Sequence, residues 1–156
     1  MRISVINDQK VRKVRIPEIR KLTEFMLGKS GRRAGIHWGD VSLILADDAA
    51  TRATNKAHLG HDHVTDVISF NLDPIPGDDA SGAYAEIVVN VEQACRVGPR
   101  YGGPDHELAL YIAHGCDHVA GEEDDTVPQR LRMRRRELRW IKEASLQALS
   151  FQLIKS

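Results

Sequence analysis

Hydrophobic and polar positions along the chain follow a strand period in some stretches and a helix period in others. Alternating or β-branched apolar residues predict four strands, and apolar residues three and four positions apart predict the helices between them. The predicted strands are residues 2–6, 41–46, 65–70 and 84–91. The predicted helices are residues 17–28, about 48–57, about 91–99, 104 to about 120, and a terminal helix that begins at Pro128.

The segments between these elements are predicted from their glycine and proline content. Residues 28–40 carry four glycines and predict a loop, as do residues 58–64, and residues 71–83 predict a long flexible connection. On the terminal helix the predicted buried stripe consists of Leu131, Leu138, Ile141 and Leu149. The pattern as a whole predicts an α+β fold, a four-stranded mixed β-sheet flanked by about five helices.

Composition limits the function classes. The 156 residues fit a single domain, residues 1–156, with 42% hydrophobic and 28% charged residues and a formal net charge of zero. The charge is distributed unevenly, since residues 105–125 are acidic and residues 130–142 are basic. Two cysteines, no signal-peptide pattern and no long apolar stretch predict a cytoplasmic protein without a membrane segment.

The candidate chemistry lies on the predicted helix that begins at Pro104. His114 and His118 are four residues apart, so on a helix both imidazoles lie on one face and can reach a single metal ion. Gly121 permits the turn that ends this helix, and a carboxylate from residues 122–125 can complete a three-ligand site with an open position for water. The alternative is a structural histidine pair. Gly115 occupies the position of the general base in His-Glu-x-x-His proteases, which argues against a peptidase.

Other residues on this helix have two readings each. Glu107 lies two helical turns before His114 and is either an acceptor that orients an imidazole or an ordinary first-turn acid. Cys116 faces away from His118, which predicts a buried structural thiol rather than a ligand. Outside this helix, Trp38 and Trp140 are predicted to pack in the core rather than stack on bases.

Two further groups of residues leave alternatives open. The loop histidines His58, His61 and His63 are a second metal site or, as their irregular spacing favours, solvated side chains. The terminal helix carries an arginine run that either contacts RNA phosphates or forms a solvated face with ion pairs to the acids at 122–125. That run comprises Arg130, Arg132, Arg134, Arg135, Arg136 and Arg139.

Three ordered motifs resemble one family. The first is His114-Gly-x-x-His118-x-x-Gly121, with Asp124 three residues after Gly121. The second is Asn55 followed by Thr-Asp-Val-Ile-Ser-Phe at 65–70, and the third is Glu-Ile-Val-Val-Asn at 86–90. This pattern resembles the bacterial rRNA-maturation endoribonucleases of the YbeY family over roughly residues 40–145. In that family the third ligand is usually a histidine, where this chain has Asp124.

The resemblance implies a function. It implies a metal-dependent enzyme that hydrolyses phosphodiester bonds in single-stranded rRNA, at the 16S 3′ end, in partnership with the small ribosomal subunit. The implied catalytic residues are His114 and His118, which act through one divalent metal bound by His114, His118 and Asp124. Zinc is the expected metal, with nickel or manganese as alternatives, because a carboxylate also suits harder ions. The alternative function is an RNA- or ribosome-binding module with a structural metal.

A second departure from the family concerns the substrate. Four residues after Asn55, where the family has an arginine implied to bind phosphate, this chain has Leu59. Arg52 and Lys56 lie seven and three residues before Leu59 and are expected to supply the missing cation. The other expected substrate-binding residues are Ser69, Arg132 and Arg135.

Overall fold

The computed structural model describes residues 1–73, 77, 82–149 and 152–155. Its four strands are β1 (Arg2–Asn7), β2 (Trp38–Ala46), β3 (Val67–Leu72) and β4 (Ala83–Asn90). Its α-helices are α1 (Ile16–Ala34), α2 (Asp48–Leu59), α3 (Val91–Val97), α4 (Pro104–Val119) and α5 (Val127–Leu146). A mixed four-stranded sheet with five α-helices confirms the predicted α+β fold.

The strands lie in the order β1-β2-β4-β3. β1, β2 and β4 are parallel, and β3 pairs antiparallel with β4 and forms an edge of the sheet. Alternate residues of β4 face opposite sides of the sheet. Ile87 and Val89 belong to the main core with α1 and α4, whereas Val88 belongs to a smaller cluster that Ala50 of α2 covers.

Helix α4 runs through the middle of the main core. It packs against β3 and β4 and contacts α1, α3 and α5. From residue 107 to residue 120 every residue is buried except His114 and His118. A Cβ at Gly115 would lie 2.4 Å from Ile87 Cγ2, so only glycine allows α4 to approach the sheet this closely. The two imidazoles are therefore the part of this stretch that reaches solvent.

The first helix is longer than its sequence predicts. The predicted end at Gly28 and the predicted loop at 28–40 are wrong, because α1 continues to Ala34 and β2 begins at Trp38. A Cβ at Gly31 would lie 2.9 Å from Trp38 Nε1, so this glycine allows a close approach within a continuous helix. Gly35, at a φ of 69°, ends the helix.

The predicted apolar stripe on the last helix is wrong for Leu131 and Leu138 but correct for Ile141, and Leu149 lies beyond the end of α5, half-buried against the core. Leu131 and Leu138 are 53% and 43% exposed, and the buried face of α5 consists of Met133, Glu137, Trp140, Ile141 and Ala144. The predicted packing role of both tryptophans is confirmed, since Trp38 and Trp140 are buried. Among the described residues no helix combines the length and the hydropathy that crossing a bilayer requires. Most of the predicted connection at 71–83 falls outside the described ranges.

Candidate metal centre

Three side chains converge at the end of α4. His114 and His118 lie one helical turn apart, and their Nε2 atoms are 3.0 Å from each other. Gly121, at a φ of 101°, turns the chain after the helix. Asp124 follows, and its Oδ2 atom lies 3.4 Å from His114 Nε2 and 3.3 Å from His118 Nε2. In the part of the chain that the structure describes, this is the one cluster of three histidine, cysteine or acidic side chains close enough to share a metal ion.

Both imidazoles are oriented through their other nitrogen. His114 Nδ1 lies 2.6 Å from Glu137 Oε1, and His118 Nδ1 lies 2.8 Å from the carbonyl oxygen of Glu122. Both partners are acceptors, so each Nδ1 carries a proton and donates it. In a neutral imidazole the Nε2 atom then presents a lone pair. These two Nε2 atoms and Asp124 Oδ2 lie within 3.4 Å of one another.

This donor set fits a divalent cation. Three acceptor atoms that face one another without a donor repel each other, and a cation between them removes that repulsion. Zinc bonds of about 2.0–2.1 Å to a tetrahedral ion place neighbouring ligand atoms about 3.3 Å apart. The observed separations are 3.0 Å between the imidazoles and 3.3–3.4 Å to Asp124. A tetrahedral ion held by these three ligands would have a fourth position for water or substrate.

The pKa of His114 is raised above its ordinary value. Burial of the ring lowers this pKa, but the hydrogen bond and the charge of Glu137, together with Asp66 and Asp124, outweigh burial. The same carboxylates that stabilise a protonated imidazole stabilise a bound cation. A metal ion and a proton therefore compete for His114 Nε2, and acid weakens metal binding.

Glu137 is a site residue that sequence analysis missed. Its side chain is 2% exposed, and it is the acid inside the arginine run of α5. Its position four residues after Met133, on the buried face, is the signal that could have identified it. Glu107, the acceptor considered from sequence, hydrogen-bonds instead with Tyr111, where burial and this carboxylate raise the pKa of the phenol. The structure therefore favours the reading of Glu107 as an ordinary acid of the first turn.

An ion-pair network holds the loop after α4. Asp117 is fully buried, and Arg136 Nη2 donates to its Oδ2 at 3.0 Å. Burial raises the pKa of Asp117, and Arg136 and Arg33 oppose that rise. Arg136 and Arg33 also pair with the Glu122 carboxylate at 3.1 Å and 2.7 Å. This network fixes Glu122, whose carbonyl orients His118.

Two depressions adjoin the centre. One, of about 270 Å³, includes His118 and is bordered by Leu59, Ser69 and Asn71. The other, of about 350 Å³, includes His114 and Asp124 together with Asp66, Glu137, Arg130, Leu131 and Arg134.

The expected substrate-binding residues have different surroundings in the structure. Ser69 borders the depression beside His118, and its hydroxyl donates to the Gly115 carbonyl at 3.4 Å. Arg52 and Lys56 share one carboxylate, Asp62, at 2.7 Å and 3.9 Å, so one of their two charges is compensated and their contact with substrate stays a prediction. Arg132 and Arg135 are exposed, and helical geometry places them about 140° and 160° from Glu137 around the α5 axis. Neither borders the two depressions, so their contact with RNA stays a prediction for the outer face of α5.

Three expectations for other residues are resolved. Cys116 is buried, as predicted, and burial raises the pKa of its thiol. His58, His61 and His63 are exposed and form no metal-binding cluster with other described residues, which agrees with solvated side chains. Within the arginine run, Arg136 forms the predicted ion pair with an acid of 122–125, namely Glu122.

The fold and the site define a class: a small α+β protein with a candidate catalytic metal centre of two histidines and one carboxylate. Residues 4–145 match the family model described as endoribonuclease YbeY. The chain belongs to the YbeY family, which confirms the resemblance predicted from its motifs.

Individual relatives agree with this assignment. The chain is 35% identical to endoribonuclease YbeY of Elusimicrobium minutum over 126 residues, which cover 78% of this chain and 87% of that protein. It is 31% identical to endoribonuclease YbeY of Syntrophus aciditrophicus over 125 residues, 78% of this chain and 74% of the relative. A solution structure of a Thermotoga maritima protein shares the fold, with a TM-score of 0.56, 20% identity and 93% coverage of both chains.

Proposed function

We propose that this protein is a metal-dependent endoribonuclease that hydrolyses phosphodiester bonds in single-stranded RNA. His114, His118 and Asp124 hold one divalent ion, and zinc suits two imidazoles and a carboxylate. The observation that carries the proposal is the convergence of two imidazole lone pairs and a carboxylate within 3.4 Å, with both Nδ1 protons already donated elsewhere. Membership of the YbeY endoribonuclease family supports hydrolysis over a purely structural metal.

A divalent ion bound there supplies a water of lowered pKa and a positive charge beside the phosphoryl oxygen. The residues of the chain prepare the site. Glu137 and the Glu122 carbonyl fix the tautomer and the orientation of the two imidazoles. Asp124 replaces a neutral ligand by an anion, so it lowers the net charge of the site, which reduces Lewis acidity and widens the range of metals toward manganese.

The proposed biological role is rRNA processing at the 16S 3′ end in the cytoplasm, on or near the small ribosomal subunit. Family membership supports this role. The centre lies at the surface, with both imidazoles 26% exposed, so an extended strand can reach it. We expect a duplex to be a poorer substrate, because a base-paired strand is too stiff to bend into both depressions beside the centre.

The test is a cleavage assay with single-stranded RNA and the matching duplex. We expect the protein loaded with zinc or manganese to cut the single strand faster than the duplex, and a chelator to abolish cleavage. His114→Ala serves as the negative control, and purified rRNA precursor tests the 16S site. RNA binding with a bound metal but without cleavage for any divalent ion would contradict the proposal and favour the binding module.

A further inference from the structure

The depression beside His114 is lined by both acidic and basic residues. Three acidic residues, Asp66, Asp124 and Glu137, border it together with two basic ones, Arg130 and Arg134. Carboxylates outnumber cations there, so the protein without metal does not favour an anion. A divalent ion at the centre reverses that balance and leaves the depression positive. The depression therefore suits an anion that arrives after the metal.

The cationic side chains near the centre differ in what they already bind. Arg130 Nη1 donates to the Asp124 carbonyl at 3.1 Å and so holds the loop that carries this carboxylate. Arg136 is paired with Asp117 and Glu122. Among the residues that the structure describes, the side chain of Arg134 makes no hydrogen bond or ion pair. Arg134 is thus the guanidinium group at this depression with its donors available.

Helix geometry explains why Arg134 reaches the site. Glu137, which contacts His114, marks the side of α5 that faces the centre. Arg134 precedes it by three residues and is about 60° away around the helix axis. Arg139 is equally charged and also exposed but lies about 160° away, on the outer face.

We propose that Arg134 binds the substrate phosphate next to the metal and replaces the phosphate-binding cation that this chain lacks at Leu59. This inference rests on the proposed function and names the residue that positions its substrate. A guanidinium presents two parallel donors that match two oxygens of a phosphate, so it fixes the orientation as well as the position of the group. Leu59 borders one depression, whereas Arg134 borders the other and lies on α5. The phosphate is therefore held from the α5 side of the centre.

The experiment uses uridine 5′-monophosphate, which carries one phosphate and no phosphodiester bond to cleave. Its dissociation constant is measured by NMR titration on the zinc-loaded protein and on Arg134→Ala, Arg134→Lys and Arg139→Ala. We expect Arg134→Ala to weaken binding about tenfold or more, because a charge-assisted bond is lost. Arg134→Lys should recover part of the affinity, and Arg139→Ala should behave as the wild type. Zinc content is measured for each variant.

The same variants are assayed for cleavage of single-stranded RNA, which separates this inference from the proposed function. If Arg134→Ala and Arg139→Ala bind the nucleotide equally well at equal zinc content, the assignment of Arg134 is wrong, even if the wild type cleaves RNA. If Arg134→Ala alone loses affinity while the wild type cleaves nothing, Arg134 is a phosphate-binding residue and the proposed hydrolysis is wrong.

Discussion

Replacing Glu137 by glutamine tests how the chain prepares its metal site. Glu137 accepts the Nδ1 proton of His114 at 2.6 Å and is 2% exposed. Glutamine has nearly the same shape and keeps an acceptor oxygen, so the tautomer of His114 is retained while the negative charge is removed. The perturbation therefore isolates the charge of Glu137 from its packing.

The expected loss is in metal affinity. Partners of metal-bound histidines contribute about 10- to 100-fold to affinity, and a charged hydrogen bond is roughly twice as strong as a neutral one. Since glutamine keeps the neutral bond, we expect the lower end, about tenfold, or about 1.4 kcal/mol. Replacing Glu137 by alanine should cost more, because Nδ1 then loses its acceptor and a void remains.

Zinc affinity is measured by competition with a chromophoric chelator, and Glu107→Gln is the matched control. Glu107 is also a buried acid, but it interacts with Tyr111 and does not touch either imidazole. We expect its substitution to change zinc affinity less than twofold. Equal zinc affinities for Glu137→Gln and Glu107→Gln would refute the idea that the charge of Glu137 strengthens metal binding by His114.

The same substitution has a pH signature in the metal-free protein. Glu137 opposes the effect of burial and raises the pKa of His114, so Glu137→Gln lowers that pKa. A histidine with a raised pKa contributes stability at acidic pH, and this contribution is lost as pH rises through the folded-state pKa. The variant should therefore be destabilised more at pH 5 than at pH 8, as measured by urea unfolding with chelator present.

Three further substitutions test other parts of the account. Leu59→Arg should raise kcat/KM for single-stranded RNA on the order of tenfold, as about 1.4 kcal/mol of transition-state stabilisation gives, and an unchanged rate would show that this position does not limit cleavage. Gly115→Ala should lower the free energy of unfolding by about 1–3 kcal/mol, because its Cβ would collide with Ile87, and an unchanged urea midpoint would contradict that packing. Arg96 lowers the pKa of Asp48, so Arg96→Met should raise this pKa, as measured by NMR titration of the carboxyl group. Because the pKa is lowered in the folded state, the wild-type pair stabilises the fold above about pH 4, and this stabilisation is lost in acid.

The sequence predicted those features that depend on local pattern. The β-branched run of β4 and the spacing of His114 and His118 need only strand and helix periods, and the structure has both. Among the acids at 122–125, resemblance to a family motif selects Asp124, and the turn at Gly121 brings it to the imidazoles. The order of the strands in the sheet could not be predicted from the sequence, because it depends on tertiary contacts.

The missed features depend on how two helices pack. Glu137 lies 23 residues from His114, and its role is decided by the rotation of α5 against α4. Helix α5 carries leucines and arginines on several faces, so periodicity alone did not identify the buried one. Leu131, predicted to be buried, instead borders the depression beside the metal centre. Gly31 suggested a loop, because the sequence does not show that this glycine lies against Trp38, which belongs to the following strand.

The central claim is that His114, His118 and Asp124 bind one divalent ion, and a zinc-binding isotherm on three proteins tests it most directly. The wild type should bind about one zinc per chain. Asp124→Ala should lose most of that affinity, and Asp125→Ala, which removes the adjacent exposed acid, should bind as the wild type does. Full zinc binding by Asp124→Ala with loss in Asp125→Ala would contradict the account.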